Sequence, residues 1–178
     1  EGGSHGGYGH NQDDTTKIYG DVFEPEELGS GGATTSYTYN GYGGPGGGAF
    51  KLDIANITNN GTISSNGADG IDQWAAGGSG GAGGSVWIDT DTISGSGTIL
   101  ANGGQGLRDL QGHGGGGSGG RIALYYTTNT NFNLDVDHIQ ARGNCNQNDI
   151  YGGPGTIYIE QVSEGGSPAY HADLYVDN

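Results

Sequence analysis

The stretch Gly84-Ser85-Val86-Trp87-Ile88-Asp89-Thr90-Asp91-Thr92-Ile93-Ser94-Gly95-Ser96-Gly97-Thr98-Ile99-Leu100-Ala101-Asn102-Gly103, moved back 36 positions, lies without a gap on Gly48–Gly67. Phe50 then meets Val86, Leu52 meets Ile88, Asp53 meets Asp89 and Ile63 meets Ile99. Moved forward, it begins again at Gly120-Arg121-Ile122-Ala123-Leu124, and a partial copy opens at Gly155-Thr156-Ile157-Tyr158-Ile159. The third copy carries four extra residues around Thr127–Asn133 before rejoining at Ile139. Repetition at a fixed period of this length marks a stacked architecture, in which each copy buries its apolar face only against its neighbours.

Within a copy, Phe50, Leu52 and Ile54 alternate with Lys51 and Asp53, the period-2 pattern of a half-buried strand. Ile57 heads a second short strand and Thr62–Ser65 a third, closed by the turn signal Asn66-Gly67. Three short strands per turn predict an all-β fold, a right-handed parallel β-helix (solenoid) of about 36 residues per coil with stacked Gly-rich loops. An antiparallel β-sandwich is the alternative, because short strands with Gly turns also fit that class. The predicted interior ladders are Phe50/Val86/Ile122/Ile157, Leu52/Ile88/Leu124/Ile159 and Ile63/Ile99/Ile139, with a row of small residues, Ser65/Ala101/Ala141, at one corner. Residues 1–47 read as a Gly/Tyr-rich capping segment, 48–160 as the coils and 161–178 as a tail. Lys17–Phe23 has strand composition, and Glu24-Pro25-Glu26-Glu27-Leu28 reads as one helical turn with Pro at its first position.

Composition narrows the classes. Only 31% of the chain is hydrophobic and 42 of its 178 residues are Gly. Such a composition without a period signals disorder, but here the apolar residues recur in register. The Gly spacing is not every third residue, which excludes collagen. The tracts Gly77–Gly84 and Gly112–Gly120 occupy equivalent places in successive coils. They are read either as flexible loops or as extended, polyproline-II-like rows whose bare backbones approach closely. A net charge of −15 disfavours nucleic acid and anionic membranes as partners. No apolar run is long enough to span a bilayer, so membrane insertion is not expected. The chain starts abruptly at Glu1, as a mature or excised segment would.

The strings Gly2-Gly3-Ser4-His5-Gly6-Gly7, Tyr19-Gly20 and Pro25…Leu28-Gly29-Ser30-Gly31-Gly32 resemble the entry segment of glycine-rich extracellular repeat modules. Those modules belong to large secreted and surface, adhesin-like proteins of bacteria and protists. Gly119–Tyr126 resembles their closing-coil motif. The resemblance runs from Gly2 to about Glu160. It implies an adhesin-like or fibre-forming β-solenoid, outside the cell or on its surface, with no assigned active site.

Candidate sites follow from the register. Asp53 and Asp89 stack on adjacent coils with Asp91 nearby, a set of oxygens that a hard cation such as Ca²⁺ could bridge, although no cofactor is required. Trp87, Tyr125 and Tyr158 form an outward aromatic surface suited to stacking on surface glycans. Asn56 and Asn60 head N-glycosylation sequons. Asp135-Val136-Asp137-His138 alternates so that Val136 points inward and the two acids outward. Cys145 stands alone, a buried thiol or a link to another chain. In the tail, Tyr170, Ala172, Leu174 and Val176 share a face and form a strand that either caps its own stack or is donated to a neighbour. The expected function is therefore a structural subunit of an extracellular filament or surface fibre, self-associating through exposed β edges and this tail. The alternatives are a carbohydrate-binding adhesin domain and, less favoured, a polysaccharide lyase-like enzyme; the five His form no ligand spacing and no phosphate loop is present. The chain is not expected to be an enzyme.

Overall fold

The computed structural model describes residues 2–10, 18–34, 41–72, 77–109, 112–145, 151–163 and 171–177. Its strands are β1 (Ala49–Thr58), β2 (Thr62–Ser64), β3 (Ser85–Ser94), β4 (Thr98–Leu100), β5 (Arg108–Asp109), β6 (Gly112–His113), β7 (Arg121–Asn129), β8 (Ile139–Gln140), β9 (Gly155–Gln161) and β10 (His171–Asp177). They form a five-stranded sheet in the order β1-β3-β7-β9-β10, a three-stranded sheet β2-β4-β8 and a small β5-β6 pair.

β1, β3, β7 and β9 run parallel, and Phe50 pairs with Val86, Val86 with Ile122 and Ile122 with Ile157. Leu52, Ile88, Leu124 and Ile159 make the next row, and Ile63, Ile99 and Ile139 the row of the smaller sheet. Val86, Ile88, Ile93, Ile99, Ile122, Leu124 and Ile139 are buried in one apolar cluster. β-Branched residues dominate it, as suits pleated strands covered on their inner face. The corner between β1 and β2 is held by Asn59. Its Oδ1 accepts the Gly61 N–H, its Nδ2 donates to Thr98 O and its carbonyl accepts the Gly97 N–H.

Several expectations are corrected. A uniform right-handed parallel β-helix with three strands per turn does not form, and neither does an antiparallel sandwich. The main sheet is mixed and mostly parallel, extended on one side by β10, which runs antiparallel to β9. Ile57 does not start a separate strand but continues β1. Nothing helical forms over Glu24–Leu28 and no strand over residues 18–23; no helix occurs among the described residues. Pro25 is fully buried and the Glu27 carbonyl accepts the Ser85 hydroxyl of the sheet, so packing overrides the local propensity.

The glycine tracts account for the rest of the fold. Around residues 78–84 the backbone bonds recur every third residue. Ser79 and Ala82 donate to Ala33 and Ser30, Gly80 and Gly83 to Gly115 and Ser118, and Gly81 and Gly84 to Ala68 and Ser65. The carbonyls repeat the pattern: Gly78 and Gly81 accept from Leu107 and Gly104, Ser79 and Ala82 from Gly44 and Gly47, and Gly80 and Gly83 from the Gly3 N–H and the His5 ring. A three-residue recurrence is that of a polyproline-II helix, which has no internal hydrogen bonds and so offers every donor and acceptor to neighbours. The tract is thus the centre of a bundle and bonds to six other segments. At its close approaches side chains are excluded, because a Cβ at Gly83 would stand against the Ala101 carbonyl, and one at Gly119 against that of Ala141. For the same reason Ser65, Ala101 and Ala141, whose carbonyls accept the N–H groups of Gly84, Gly120 and Gly155, are small and buried.

Candidate assembly edges

Among the described residues, two edges of the main sheet are left unpaired, β1 and β10. Of the N-terminal segment read as capping, residues 2–10 and 29–34 join the glycine bundle, and residues 18–28 cross the outer face of the sheet as a strap, leaving the β1 end uncovered among the described residues. Phe50, Leu52, Ile57 and Ile63 consequently reach the core only from one side and remain partly buried. The opposite end is finished differently. Asn129 Oδ1 accepts the N–H groups of Asn131 and Phe132, turning the chain so that Phe132 packs into the core. Asp135 carbonyl then takes the Ile139 N–H, closing part of the β8 edge. Beside this plug Leu134, Ile139, Ile157, Ile159 and Tyr175 line an apolar cleft of about 260 Å³. The extra residues of the third copy are therefore an end cap.

The tail folds back on its own chain. Ala172, Leu174 and Val176 lie across from Glu160, Tyr158 and Thr156, on the outer face, while Tyr175 lies across from the core residue Ile157. The face shared by Ala172, Leu174 and Val176 thus points away from the core: Leu174 is 57% and Val176 67% exposed. Tyr170 falls outside the described residues. The reason is register, since the antiparallel pairing with β9 sets which face enters the core and the tail's own alternation does not.

The aromatic surface is covered rather than open. Trp87 is buried, with the Lys51 ammonium 3.2 Å above its ring. Tyr125 donates its hydroxyl to Phe23 O, Phe23 meets the Tyr158 ring edge-on at 4.8 Å, and the Tyr158 hydroxyl donates to Glu160. The strap is fastened by Arg121, itself buried, whose Nε donates to Tyr19 O and whose Nη1 donates to Thr156 Oγ1. Burial works against the Arg121 charge, and Asp21 and Glu27 on the strap offset this. Nothing in the local sequence signals the strap's path, because its partners lie 58 to 102 positions away.

Among the candidate cation ligands, Asp53 and Asp89 do stand opposite each other. Burial, then Asp53, and to a lesser extent Asp91, push the Asp89 carboxyl up, against the pull of Lys51. No group of three His, Cys, Asp or Glu that could hold a metal occurs among the described residues. Asn56 and Asn60 are both exposed, and Asn60 Oδ1 accepts the Ser96 N–H in the next repeat. Asp135 and Asp137 do not share a strand face. Residues 135–138 form a turn in which Asp135 Oδ1 accepts from Asp137 N, His138 N and His138 Nδ1, and Val136 is exposed rather than inward. Cys145 is half-buried, and its backbone makes an antiparallel bridge with that of Tyr151.

No pattern in the sequence pointed to His5. It is fully buried at the seam of bundle and strap. Its Nδ1 donates to Gly83 O at 2.8 Å, which leaves Nε2 as the unprotonated nitrogen, with no hydrogen-bond partner among the described residues. Burial first, and the nearby Arg121, hold its pKa below the usual 6.5. A histidine kept neutral on folding binds fewer protons than the unfolded chain, so its contribution is intact above about pH 6.5 and lost as pH falls toward the folded value. The melting temperature is expected to drop between pH 7 and 5, and His5→Gln should flatten that slope. Parallel slopes for the two proteins, measured by circular dichroism, would remove His5 from the acid response.

No protein-family model, curated protein or solved structure matches the chain. Among the described residues no helix is long and apolar enough to cross a membrane.

Proposed function

We propose that the chain is a structural module of an extracellular or cell-surface assembly, joined to its neighbours through the sheet edges β1 and β10. The observation that carries this reading is the half-buried inner row Phe50, Leu52, Ile57 and Ile63 beside an unpaired edge. An open edge backed by apolar side chains is a template for another strand, and proteins that stay monomeric blunt such edges. The exposed apolar residues Leu174 and Val176 give β10 the same character. The resemblance to adhesin-like repeat modules supports placing the assembly outside the cell. The carbohydrate-binding alternative has less support, because Trp87 is buried with Lys51 over its ring, and Tyr125 and Tyr158 are engaged by the strap.

The test is light scattering and electron microscopy of the purified protein at physiological salt, where the net charge of −15 is screened. Elongated oligomers are expected, shortened by Leu174→Lys, which places a charge on the β10 edge without touching the core. A monodisperse monomer at every concentration and salt would overturn the proposal.

A further inference from the structure

The edge of β1, unpaired among the described residues, carries a cation and an anion two residues apart, and that spacing decides what it can pair with. Phe50 and Leu52 pack on the inner face; Ile54, 40% exposed, follows on the same side by alternation and pairs with the buried Thr90, while Lys51 and Asp53 lie on the outer face. A strand added to this edge must set inner residues opposite inner ones. At the far end β10 pairs with β9 and its apolar residues Leu174 and Val176 lie on the outer face, so a neighbour stacked head to tail meets no matching inner row there. A second copy's β1 end does present one.

Resting on the assembly reading above, we infer that the β1 edge binds the β1 edge of a second copy across a two-fold axis, antiparallel, with Leu52 opposite Leu52. This register places Lys51, whose ammonium rests over Trp87 in the single subunit, directly across from the second copy's Asp53, twice over, and Phe50 across from its Ile54. The neighbouring registers that keep the faces matched centre on Lys51 or on Asp53, and each sets like charges opposite one another. Directly opposed unlike charges stabilise a sheet pair and like charges destabilise it. The arrangement also meets a need inside the subunit. Asp53 already faces Asp89 on its β3 side, and the second copy's Lys51 supplies a positive charge on its other side. Each contact of this kind is isologous, so β1 alone closes a dimer, and a chain of subunits requires the β10 edge as well.

Charge reversal tests the register in a Leu174→Lys background, which silences β10. Lys51→Glu makes both facing pairs acidic and Asp53→Lys makes both basic. Each variant alone is expected to lose at least about tenfold in dimerisation constant by analytical ultracentrifugation. Mixed together, they should form a heterodimer. The carboxylate introduced at position 51 of one chain then faces the ammonium introduced at position 53 of the other, while the unchanged Asp53 of the first faces the unchanged Lys51 of the second. A merely structural role for either residue cannot produce rescue on mixing. Dimers that persist equally in both variants, or no heterodimer on mixing, would overturn this register while leaving assembly standing. A parent protein that is monomeric with both edges intact would overturn the assembly reading and this inference together.

Discussion

Gly83→Ala is expected to prevent folding at room temperature, although it adds a single methyl group. The new Cβ would overlap the Ala101 carbonyl and come within 2.7 Å of Gly120 N. Both obstacles are backbone, held by their own hydrogen bonds, including Gly120 N–H to Ala101 O at 2.7 Å, so neither can move aside as a side chain would. Overpacking usually costs about 1–3 kcal/mol, and a clash between fixed backbones belongs above that range. A typical domain stability of about 5–15 kcal/mol leaves little margin for it. Gly61→Ala is the matched control, since a Cβ there meets nothing within 4 Å and the change should stay within about 0.5 kcal/mol. Urea denaturation of the two variants separates the accounts. Equal stability would mean that the glycines serve chain flexibility rather than close approach.

Ile88→Asp should be as damaging for a different reason. Ile88 is fully buried in the middle of the row Leu52/Ile88/Leu124/Ile159, with apolar neighbours on both adjacent strands. A carboxylate there loses its hydration with no donor or cation to replace it, and losing a large aliphatic side chain adds roughly 2–5 kcal/mol of its own. Unfolding at neutral pH is expected, with some recovery in acid as the carboxyl is protonated. Asp91→Ala, exposed on the same strand, should cost under about 0.5 kcal/mol. Circular-dichroism melting of the pair checks this, and comparable tolerance would mean that the inner face is wrongly assigned.

The strand ladders were legible in the sequence because a 36-residue offset brings like beside like. Ile63, Ile99 and Ile139 each carry an apolar side chain that must be buried, and one solution of that problem serves every copy. The small row Ser65/Ala101/Ala141 was legible too, as a demand for space. Strand number per turn was over-read from the same pattern, for periodicity tells which residues are equivalent and not how many of them pair.

What the tertiary structure alone decided concerns groups that leave no periodic trace. A glycine has no side chain to advertise a partner, so a bundle joining Gly80 to Gly115 and Gly3 is invisible until the backbones are placed. The strap's grip depends on one buried guanidinium and on carbonyls, which any sequence supplies. Which face of β10 entered the core depended on its register with β9, and a one-residue change of pairing would have reversed it. The sequence by itself determined what repeats. The packing of remote backbone determined which surfaces were covered, and so left β1 and β10 as the edges open to a neighbour.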